Sequence, residues 1–247
     1  MSTVNDTTLA KRLEDSHEEV TALKAELQRA KQLQESFMAC MSHELRTPLN
    51  SILGLTEALT ELIYGDLNKA QIETLHGIEK GGRDLLELIN NILDLTRIAA
   101  GDMTMEMAAI SVKEMCHSSI KAFEEKAEAG RLTVSQHLDP NIGLMSGDEL
   151  RIRQILSHLL DNAIKFTPPG GKVKLDAALD REDRTIHIAV SDTGVGISKE
   201  ALPMLFKSFQ QLDGSIRRAH AGTGLGLALV HQLAELHGGS VSVDSEV

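Results

Sequence analysis

Residues 37–52 restrict the fold more than any other part of the chain. Their apolar side chains recur at three- and four-residue steps: Met38, Met41, Leu45, Leu49 and Ile52. This spacing predicts a helix with one buried face. His43 projects about 160° away from the nearest positions of that face, so we expect its imidazole to lie in water. Pro48 cannot donate a backbone hydrogen bond to Glu44, so the helix is expected to loosen just past the histidine.

An exposed imidazole beside a carboxylate can act as a nucleophile. Free histidine has a pKa near ~6.5, so much of it is neutral at cellular pH. Glu44 could then accept the Nδ1 proton of His43 and leave Nε2 free to attack. A lone His–Glu pair is more often an ordinary surface pair on a helix, and this alternative stays open at this point.

The run around this pair is more specific than the pair itself. Residues 42–50 read Ser-His-Glu-Leu-Arg-Thr-Pro-Leu-Asn, which resembles the phosphoacceptor box of sensor histidine kinases. The resemblance implies that His43 is phosphorylated and that Glu44 is the base. It also implies that Thr47 helps to position water for the dephosphorylation of a partner.

A heptad pattern precedes this box. Its core positions are Leu9, Leu13, Ser16, Val20, Leu23, Leu27 and Ala30, with Phe37 and Met41 continuing the phase. The pattern predicts a parallel coiled coil over residues 1–35, with a solvated single helix as the alternative. No Gly or Pro separates it from the histidine helix, so we expect one continuous rod that carries a signal by rotation or register shift.

A second helix is predicted after a short connection at residues 64–67, and it ends at Ala100-Gly101. Its predicted inner face consists of Leu75, Ile78, Gly82, Leu85, Ile89, Ile92, Leu93 and Thr96. Two antiparallel helices cannot cover both of their apolar stripes alone. We therefore expect a homodimer in which two hairpins form a four-helix bundle.

Charge and composition exclude several classes of partner. The net charge of −11 argues against nucleic acid or an anionic membrane surface. Cys40 and Cys116 form no spaced motif, which argues against a disulfide framework or a thiolate zinc site. No apolar run is long enough to span a bilayer and no signal peptide is visible. We expect a cytoplasmic chain with no membrane segment of its own, although such a segment could precede it in a longer parent.

Strand and helix patterns begin to alternate near Asp102. The predicted elements are a strand through Met103, Met105 and Met107, a helix from the Ser111–Glu114 capping box to Ala129, strands at 132–138, 172–179 and 185–190, and a helix from Asp148 to the break at Pro168. This order predicts an α/β layer with helices on one face of the sheet.

Two groups of residues in this half suit a nucleotide. Asp192 directly follows a strand and can accept a hydrogen bond from an exocyclic amine such as that of adenine, while Gly194 and Gly196 let the backbone approach a ligand closely. Asn162 offers an oxygen to a hard cation such as Mg²⁺, and Lys165 lies on the same side of the helix. A triphosphate needs an ammonium and a magnesium ion. The ordinary alternatives are a polar turn after a strand and a favourable lysine at a helix C-terminus.

A second glycine turn, Gly222-Thr-Gly-Leu-Gly-Leu, opens a helix rich in Leu and Ala. Such a turn presents free N–H groups and the positive end of a helix dipole to a phosphate. The polar loop at 210–221 precedes it and carries Arg217 and Arg218. We interpret this loop as a mobile lid over a nucleotide, with a disordered surface loop as the alternative.

Taken in order, these motifs resemble the N, G1, F and G2 boxes of the histidine kinase ATP-binding domain, a Bergerat-fold relative of gyrase, Hsp90 and MutL. The resemblance implies that Asn162 holds Mg²⁺, that Lys165 contacts a phosphate and that Asp192 contacts the adenine amine. The other site residues are, in the base pocket, Gly194 and Gly196; around the phosphates, Gly222, Thr223, Gly224 and Gly226; and in the lid, Arg218.

Three features depart from the family pattern. His158 stands where the N box has another asparagine, and histidine is a poorer ligand for a hard ion. The F box lacks its usual acidic-Pro pair. After residues 241–247 the family has a further glycine turn and a closing strand, so we expect the C-terminal strand to be truncated in this sequence.

We therefore predict an α-helical hairpin, dimeric as a four-helix bundle with an N-terminal coiled coil, followed by an α/β two-layer sandwich of the Bergerat (GHKL) fold. The predicted domains are the coiled coil at 1–35, a dimerisation and histidine phosphotransfer domain at 36–101 and an ATP-binding catalytic domain at 102–247. The predicted function is that of a two-component sensor histidine kinase, which uses Mg-ATP to phosphorylate His43 and then passes the phosphoryl group to an aspartate of a response regulator. The alternatives are a nucleotide-binding pseudokinase scaffold and a gyrase- or MutL-like ATPase.

Overall fold

A computed structural model of the chain describes residues 3–210 and 223–247. The chain divides into two compact units, residues 1–103 and residues 104–247. In the part of the chain that the structure describes, no helix combines the length and the apolar character that a bilayer span requires.

Two helices make up the first unit. Helix α1 spans Thr3–Thr60 and helix α2 spans Lys69–Ala100. The predicted continuity between the heptad segment and the histidine helix is confirmed, and α1 stays helical through Pro48. Pairing into a coiled coil requires a second chain and stays a prediction.

Sequence signals set both the beginning and the end of helix α2. The side chain of Asn68 accepts from the backbone N–H of Gln71 at 3.0 Å, and the Gln71 side chain accepts from the N–H of Asn68 at 2.9 Å. This reciprocal pair satisfies two donors of the first turn. Gly101 ends the helix with a left-handed φ of 84°, which glycine adopts without strain. The predicted end at Ala100-Gly101 is confirmed.

The hairpin closes along a narrow stripe. Leu49 of α1 is buried, and α2 comes close at Gly82, where a Cβ atom would lie 2.7 Å from Cδ2 of Leu53. Of the predicted inner face of α2, Ile78 and Leu85 are 46% and 48% exposed in the single chain, and their burial by a second hairpin stays a prediction. Two helices bury one stripe each against one another, and these two side chains lie beyond that stripe.

The second unit alternates strands and helices. Its elements are β1 Ala108–Ser111, α3 Val112–Lys121, α4 Glu124–Ala129, β2 Thr133–Leu138, β3 Leu144–Gly147, α5 Glu149–Phe166, β4 Lys172–Asp180, β5 Thr185–Asp192 and α6 Gly226–Leu236. Strand β1 pairs with β3 in an antiparallel ribbon. In the other sheet, β4 is the central strand, parallel to β2 and antiparallel to β5.

Three predictions for this unit need correction. The strand predicted for the methionines at 103, 105 and 107 is wrong, because pairing with β3 begins only at Ala108. The helix predicted from Ser111 to Ala129 is interrupted at residues 122–123, between α3 and α4. No prediction covered β3, whose four residues are too few to display a clear alternation.

One face of the β2–β4–β5 sheet carries the core of the second unit. Val173, Leu175 and Ala177 of β4 are at most 1% exposed, and they alternate with exposed Lys172 and Lys174. Helices α3 and α5 pack onto the buried face. The predicted order, a helical hairpin followed by a two-layer α/β sandwich, is therefore confirmed.

Candidate active site

His43 lies on the exposed side of α1, as its helical position predicts. Its side chain is 78% exposed, and its Nδ1 lies 3.5 Å from Oε1 of Glu44. The hydroxyl of Thr47 donates to the backbone carbonyl of His43 at 3.0 Å. Nδ1 therefore faces the carboxylate, and Nε2 is the nitrogen on the other side of the ring.

A second His–Glu pair, on α2, provides an internal comparison. Nδ1 of His76 lies 3.6 Å from Oε2 of Glu79. Glu79 also accepts two hydrogen bonds from Arg83, at 3.1 and 2.7 Å, and these bonds lower the pKa of its carboxyl. A carboxylate held by an arginine is a weaker proton acceptor. Within the described residues, Glu44 has no such arginine or lysine partner.

Helix α5 carries the residues predicted for magnesium and phosphate. Asn162 and Lys165 are both half-buried, and Nζ of Lys165 lies 5.3 Å from the centre of the Phe166 ring. The imidazole of His158 lies against the first residue of α6, because a Cβ atom at Gly226 would be 3.2 Å from its Nδ1. Glycine at this position lets the start of α6 approach α5 closely.

The first glycine turn is held by the aspartate that precedes it. The backbone N–H of Gly194 donates to Oδ1 of Asp192 at 2.7 Å. A Cβ atom at Gly194 would lie 2.6 Å from this oxygen and 2.6 Å from the backbone oxygen of Phe166. No side chain fits there without displacing one of them, and the second oxygen of Asp192 is available to a ligand amine.

The C-terminal segment packs on the same turn. Gly196 has a left-handed φ of 69°, and a Cβ atom there would overlap the backbone carbonyl of Glu246. The N–H of Ile197 donates to the hydroxyl of Ser245 at 3.0 Å. The sequence analysis did not predict this contact.

The second glycine turn is described from Thr223 onward. Gly224 is left-handed, with a φ of 70°, and its carbonyl accepts from the N–H of Phe209 at 3.1 Å. The hydroxyl of Thr223 accepts from the N–H two residues later at 3.4 Å. The predicted site residues Arg218 and Gly222, and nearly all of the predicted lid, lie outside the described residues.

Helix α5 brings the predicted nucleotide residues of three elements together. It meets the first glycine turn where Phe166 approaches Gly194, and it meets the start of α6 where His158 approaches Gly226. The end of β5, the second half of α5 and the start of α6 therefore border one region of the second unit. His43 belongs to the first unit.

The donor set of this region fits a magnesium ion that arrives with a substrate. Among the described residues, no three His, Cys, Asp or Glu side chains come close enough to hold a metal ion. Asn162 offers one amide oxygen, and Mg²⁺ is usually held by one or two protein oxygens together with phosphate oxygens and water. The residues fit nucleotide-bound magnesium better than an all-protein metal site.

Sequence reasoning missed two histidines that support this region. The ring of His231 in α6 lies 5.5 Å from that of Phe206. His237, directly after α6, accepts a hydrogen bond from the backbone N–H of Asp148 at 3.1 Å. Neither has a local signal in the sequence, because both partners are distant in the chain; 89 residues separate His237 from Asp148.

Both units match known protein families. Residues 33–101 match the family described as "His Kinase A (phospho-acceptor) domain". Residues 147–247 match the family described as "Histidine kinase-, DNA gyrase B-, and HSP90-like ATPase".

Individual relatives combine the same two parts. The circadian input-output histidine kinase CikA of Synechococcus elongatus is 43% identical over 237 residues, which are 95% of this chain and 31% of that protein. The sensor protein GacS of Pseudomonas syringae is 37% identical over 230 residues, which are 92% of this chain and 25% of that protein. The crystal structure of full-length ShkA in complex with AMPPNP matches with a TM-score of 0.66 and 29% identity, over 81% of this chain and 41% of ShkA. The chain thus spans about a third or less of the length of these two curated relatives. With a phospho-acceptor unit followed by a kinase-type ATPase unit, the chain belongs to the sensor histidine kinases and carries their catalytic core.

Proposed function

We propose that this chain phosphorylates its own His43 with Mg-ATP and then passes the phosphoryl group to an aspartate of a response regulator. We assign residues 1–35 to a signalling coiled coil, residues 36–101 to the dimerisation and phosphotransfer domain, and residues 102–247 to the ATP-binding domain. The proposed place of action is the cytoplasm, where ATP is available.

The observation that carries this proposal is the exposed His43–Glu44 pair on a segment that matches the phospho-acceptor family. Nε2 of the neutral imidazole attacks the γ-phosphorus of ATP, the bond from that phosphorus to the β,γ-bridging oxygen breaks, and ADP leaves. Nδ1 then gives its proton to Glu44, which relieves the positive charge on the ring. Glu44 suits this role better than Glu79, which Arg83 already holds.

The second unit supplies the nucleotide site. Asp192 accepts a hydrogen bond from the adenine amine, and we assign to the base pocket the turn of Gly194 and Gly196, whose Gly194 N–H holds Asp192 in place. Lys165 provides a positive charge to the phosphates, and the turn at the start of α6 provides backbone N–H groups. The presence of AMPPNP in the ShkA structure supports a nucleotide site in this domain.

Asn162 is the residue that we assign to magnesium. The ion, when bound with ATP, offsets the charge of the phosphates. Thr47 is the residue that we assign to the reverse reaction, in which it helps to position water for dephosphorylation of the regulator. Its place one turn after His43, on the same side of α1, supports this assignment.

A homodimer is the proposed assembly. On α1, Leu45 and Leu55 are 44% and 60% exposed, and Ile78 and Leu85 of α2 are exposed to a similar extent. A second hairpin packed against them would remove these side chains from water and form a four-helix bundle.

Transfer of label from γ-labelled ATP tests the proposed function. We expect acid-labile label on the native chain and a loss of about a hundredfold or more in His43→Gln. The matched control is His76→Gln, which removes the other exposed histidine beside a glutamate and should keep the label. ATP binding, measured by calorimetry, should be unchanged in both variants, because neither histidine lies in the second unit.

Three outcomes would contradict this assignment. Acid-labile label that survives His43→Gln would place the phosphoryl group elsewhere. ATP binding without any phosphohistidine would favour the scaffold alternative. Release of free phosphate that does not depend on His43 would favour a gyrase- or MutL-like ATPase.

A further inference from the structure

Helices α5 and α6 lie antiparallel and together carry the groups assigned to the nucleotide phosphates. The start of α6 at Gly226 meets α5 at His158, one turn before Asn162. The other end of α6 meets the beginning of α5, where His237 contacts Asp148. The distance between Asn162 and Lys165 of α5 and the start of α6 therefore depends on how the two helices are held in register.

His237 connects the end of α6 to the beginning of α5 with both of its ring nitrogens. Its Nδ1–H donates to the backbone carbonyl of Leu233 at 2.7 Å, one turn earlier in α6. Its Nε2 accepts from the backbone N–H of Asp148 at 3.1 Å. The ring also covers the end of β3, because a Cβ atom at Gly147 would lie 3.5 Å from its Cδ2. One side chain thus fixes a point of α6 against both β3 and α5.

Asp148 is itself held firmly. It is 5% exposed, its Oδ2 accepts from the backbone N–H of Glu106 at 3.0 Å, and its Oδ1 accepts from that of Arg151 at 3.2 Å. The contact from His237 is therefore made to a rigid point that joins the first segment of the second unit to the N-terminus of α5.

We infer that His237 is a positioning residue for the nucleotide phosphates, which holds α6 in register with α5 through its hydrogen bond to Asp148. About 21 Å of helix separates Asp148 from Asn162, so His237 acts through the helices and does not touch the nucleotide. This inference rests on the proposed function of α5 and the second glycine turn. The adenine contact belongs to Asp192 on β5, so a change of register should affect the phosphates and spare the base.

Two conservative variants separate this role from a merely structural one. In His237→Gln, the side-chain oxygen can replace Nε2 and accept from Asp148. In His237→Asn, the shorter amide can replace Nδ1–H and reach Leu233, but it cannot reach Asp148. The control is His137→Asn, which changes an exposed histidine on β2.

Calorimetric titration of the full chain with Mg-ATP and with adenosine tests the inference. We expect His237→Gln and His137→Asn to bind both ligands as the native chain does. We expect His237→Asn to bind ATP about fivefold more weakly, the effect of one hydrogen bond, with no change for adenosine. An unfolded fraction lowers the number of sites for both ligands alike, so the ratio of the two affinities reports on the folded site.

Results that would overturn the role of His237 differ from the result that would overturn the proposed function. Equal ATP affinity in His237→Asn and His237→Gln would overturn the inference, and so would an equal weakening of ATP and adenosine in His237→Asn. If the native chain itself binds no ATP, the proposed function fails, and this inference fails with it. A difference confined to the His237 variants concerns the positioning role alone.

Discussion

The two units of this chain bury their apolar side chains in different ways. In the ATP-binding unit, Leu156, Leu160 and Leu175 are at most 1% exposed, and a continuous core joins two helices to the sheet. In the hairpin, Leu49 is buried, but Leu55 on the same helix is 60% exposed. One unit closes its own core, and the other leaves apolar surface in water.

The spacing of the exposed residues explains the difference. In the second half of α1, Met41, Leu45, Ile52 and Leu55 are exposed, and they recur at steps of three, four or seven residues. On α2, Ile78 and Leu85 are seven residues apart. A repeat of seven is the pattern of helices that pack against further helices. In the proposed homodimer the hairpin is half of a bundle, so its stability should depend on protein concentration, whereas that of the ATP-binding unit should not.

The largest expected effect comes from the closed core. Leu156→Ala should lower the free energy of unfolding of the ATP-binding unit by about 3 kcal/mol, because it removes a fully buried side chain and leaves a cavity. Leu55→Ala makes the same chemical change at an exposed position and should leave this unit unchanged. Both are measured by urea unfolding.

Cys116 gives a probe that is specific for this unit. The thiol is fully buried, and burial raises its pKa to about 11, so it reacts only when the unit opens. In a Cys40→Ser background it is the only thiol of the chain. The midpoint of Cys116 reactivity is the urea concentration at which half of this thiol has become reactive. An equal shift of this midpoint in Leu156→Ala and Leu55→Ala would show that the two units do not bury their cores independently.

A smaller effect is expected at the exposed stripe of the hairpin. Leu55→Glu should raise the dissociation constant of the homodimer by about tenfold, because it places a charge where an apolar contact is proposed. Analytical ultracentrifugation measures this constant, and the midpoint of Cys116 reactivity should stay unchanged. The control is Gly54→Glu, since a Cβ atom at that exposed position meets nothing within 4 Å. If the native chain, Leu55→Glu and Gly54→Glu dimerise with the same dissociation constant, Leu55 does not lie in the dimer interface.

The sequence predicted the elements whose signals are local. The reciprocal cap at Asn68 and the glycine stop at Gly101 bound α2, and Asp148 begins α5, because each signal lies within one helical turn of the boundary that it sets. The predictions failed where the outcome depends on a distant partner. The methionine alternation suggested a strand where the described residues offer no strand to pair with, and four-residue β3 is defined only by its pairing with β1.

In the candidate site too, residues with a local signal were predicted, and residues that depend on a distant partner were missed. Asp192 and Gly194 were predicted, and the structure joins them by a hydrogen bond across two residues. His43 was predicted to be exposed, because helical periodicity fixes the direction of a side chain. His237 was missed, because its partner lies in another helix and nothing in its own neighbourhood indicates it. Local motifs thus identify the groups proposed for the chemistry, and tertiary contacts identify the groups that hold them in place.

The smallest expected effect concerns the start of one helix in each unit. The N-cap of α2 is the amide of Asn68, which does not titrate, and that of α5 is the carboxylate of Asp148. Burial acts to raise the pKa of Asp148, but hydrogen bonds from the N–H groups of Glu106 and Arg151 outweigh it, so the pKa lies below its usual value. A lowered folded-state pKa stabilises the unit above the unfolded-state pKa of aspartate, and this contribution is lost as the pH falls through the folded-state value.

Asp148→Asn should therefore lower the free energy of unfolding of the ATP-binding unit by about 1 kcal/mol near neutral pH, since asparagine still caps a helix but accepts with only one oxygen. The difference from the native chain should shrink in acid and vanish once Asp148 is protonated in the folded protein. Urea unfolding followed by circular dichroism measures it across this range, with exposed Asp183→Asn as the control for the loss of one negative charge. In the hairpin, Asn68→Asp should leave the free energy of unfolding unchanged at low pH, because the new carboxyl is neutral there. A constant difference at all pH values would mean that Asp148 contributes through its shape and not through its charge.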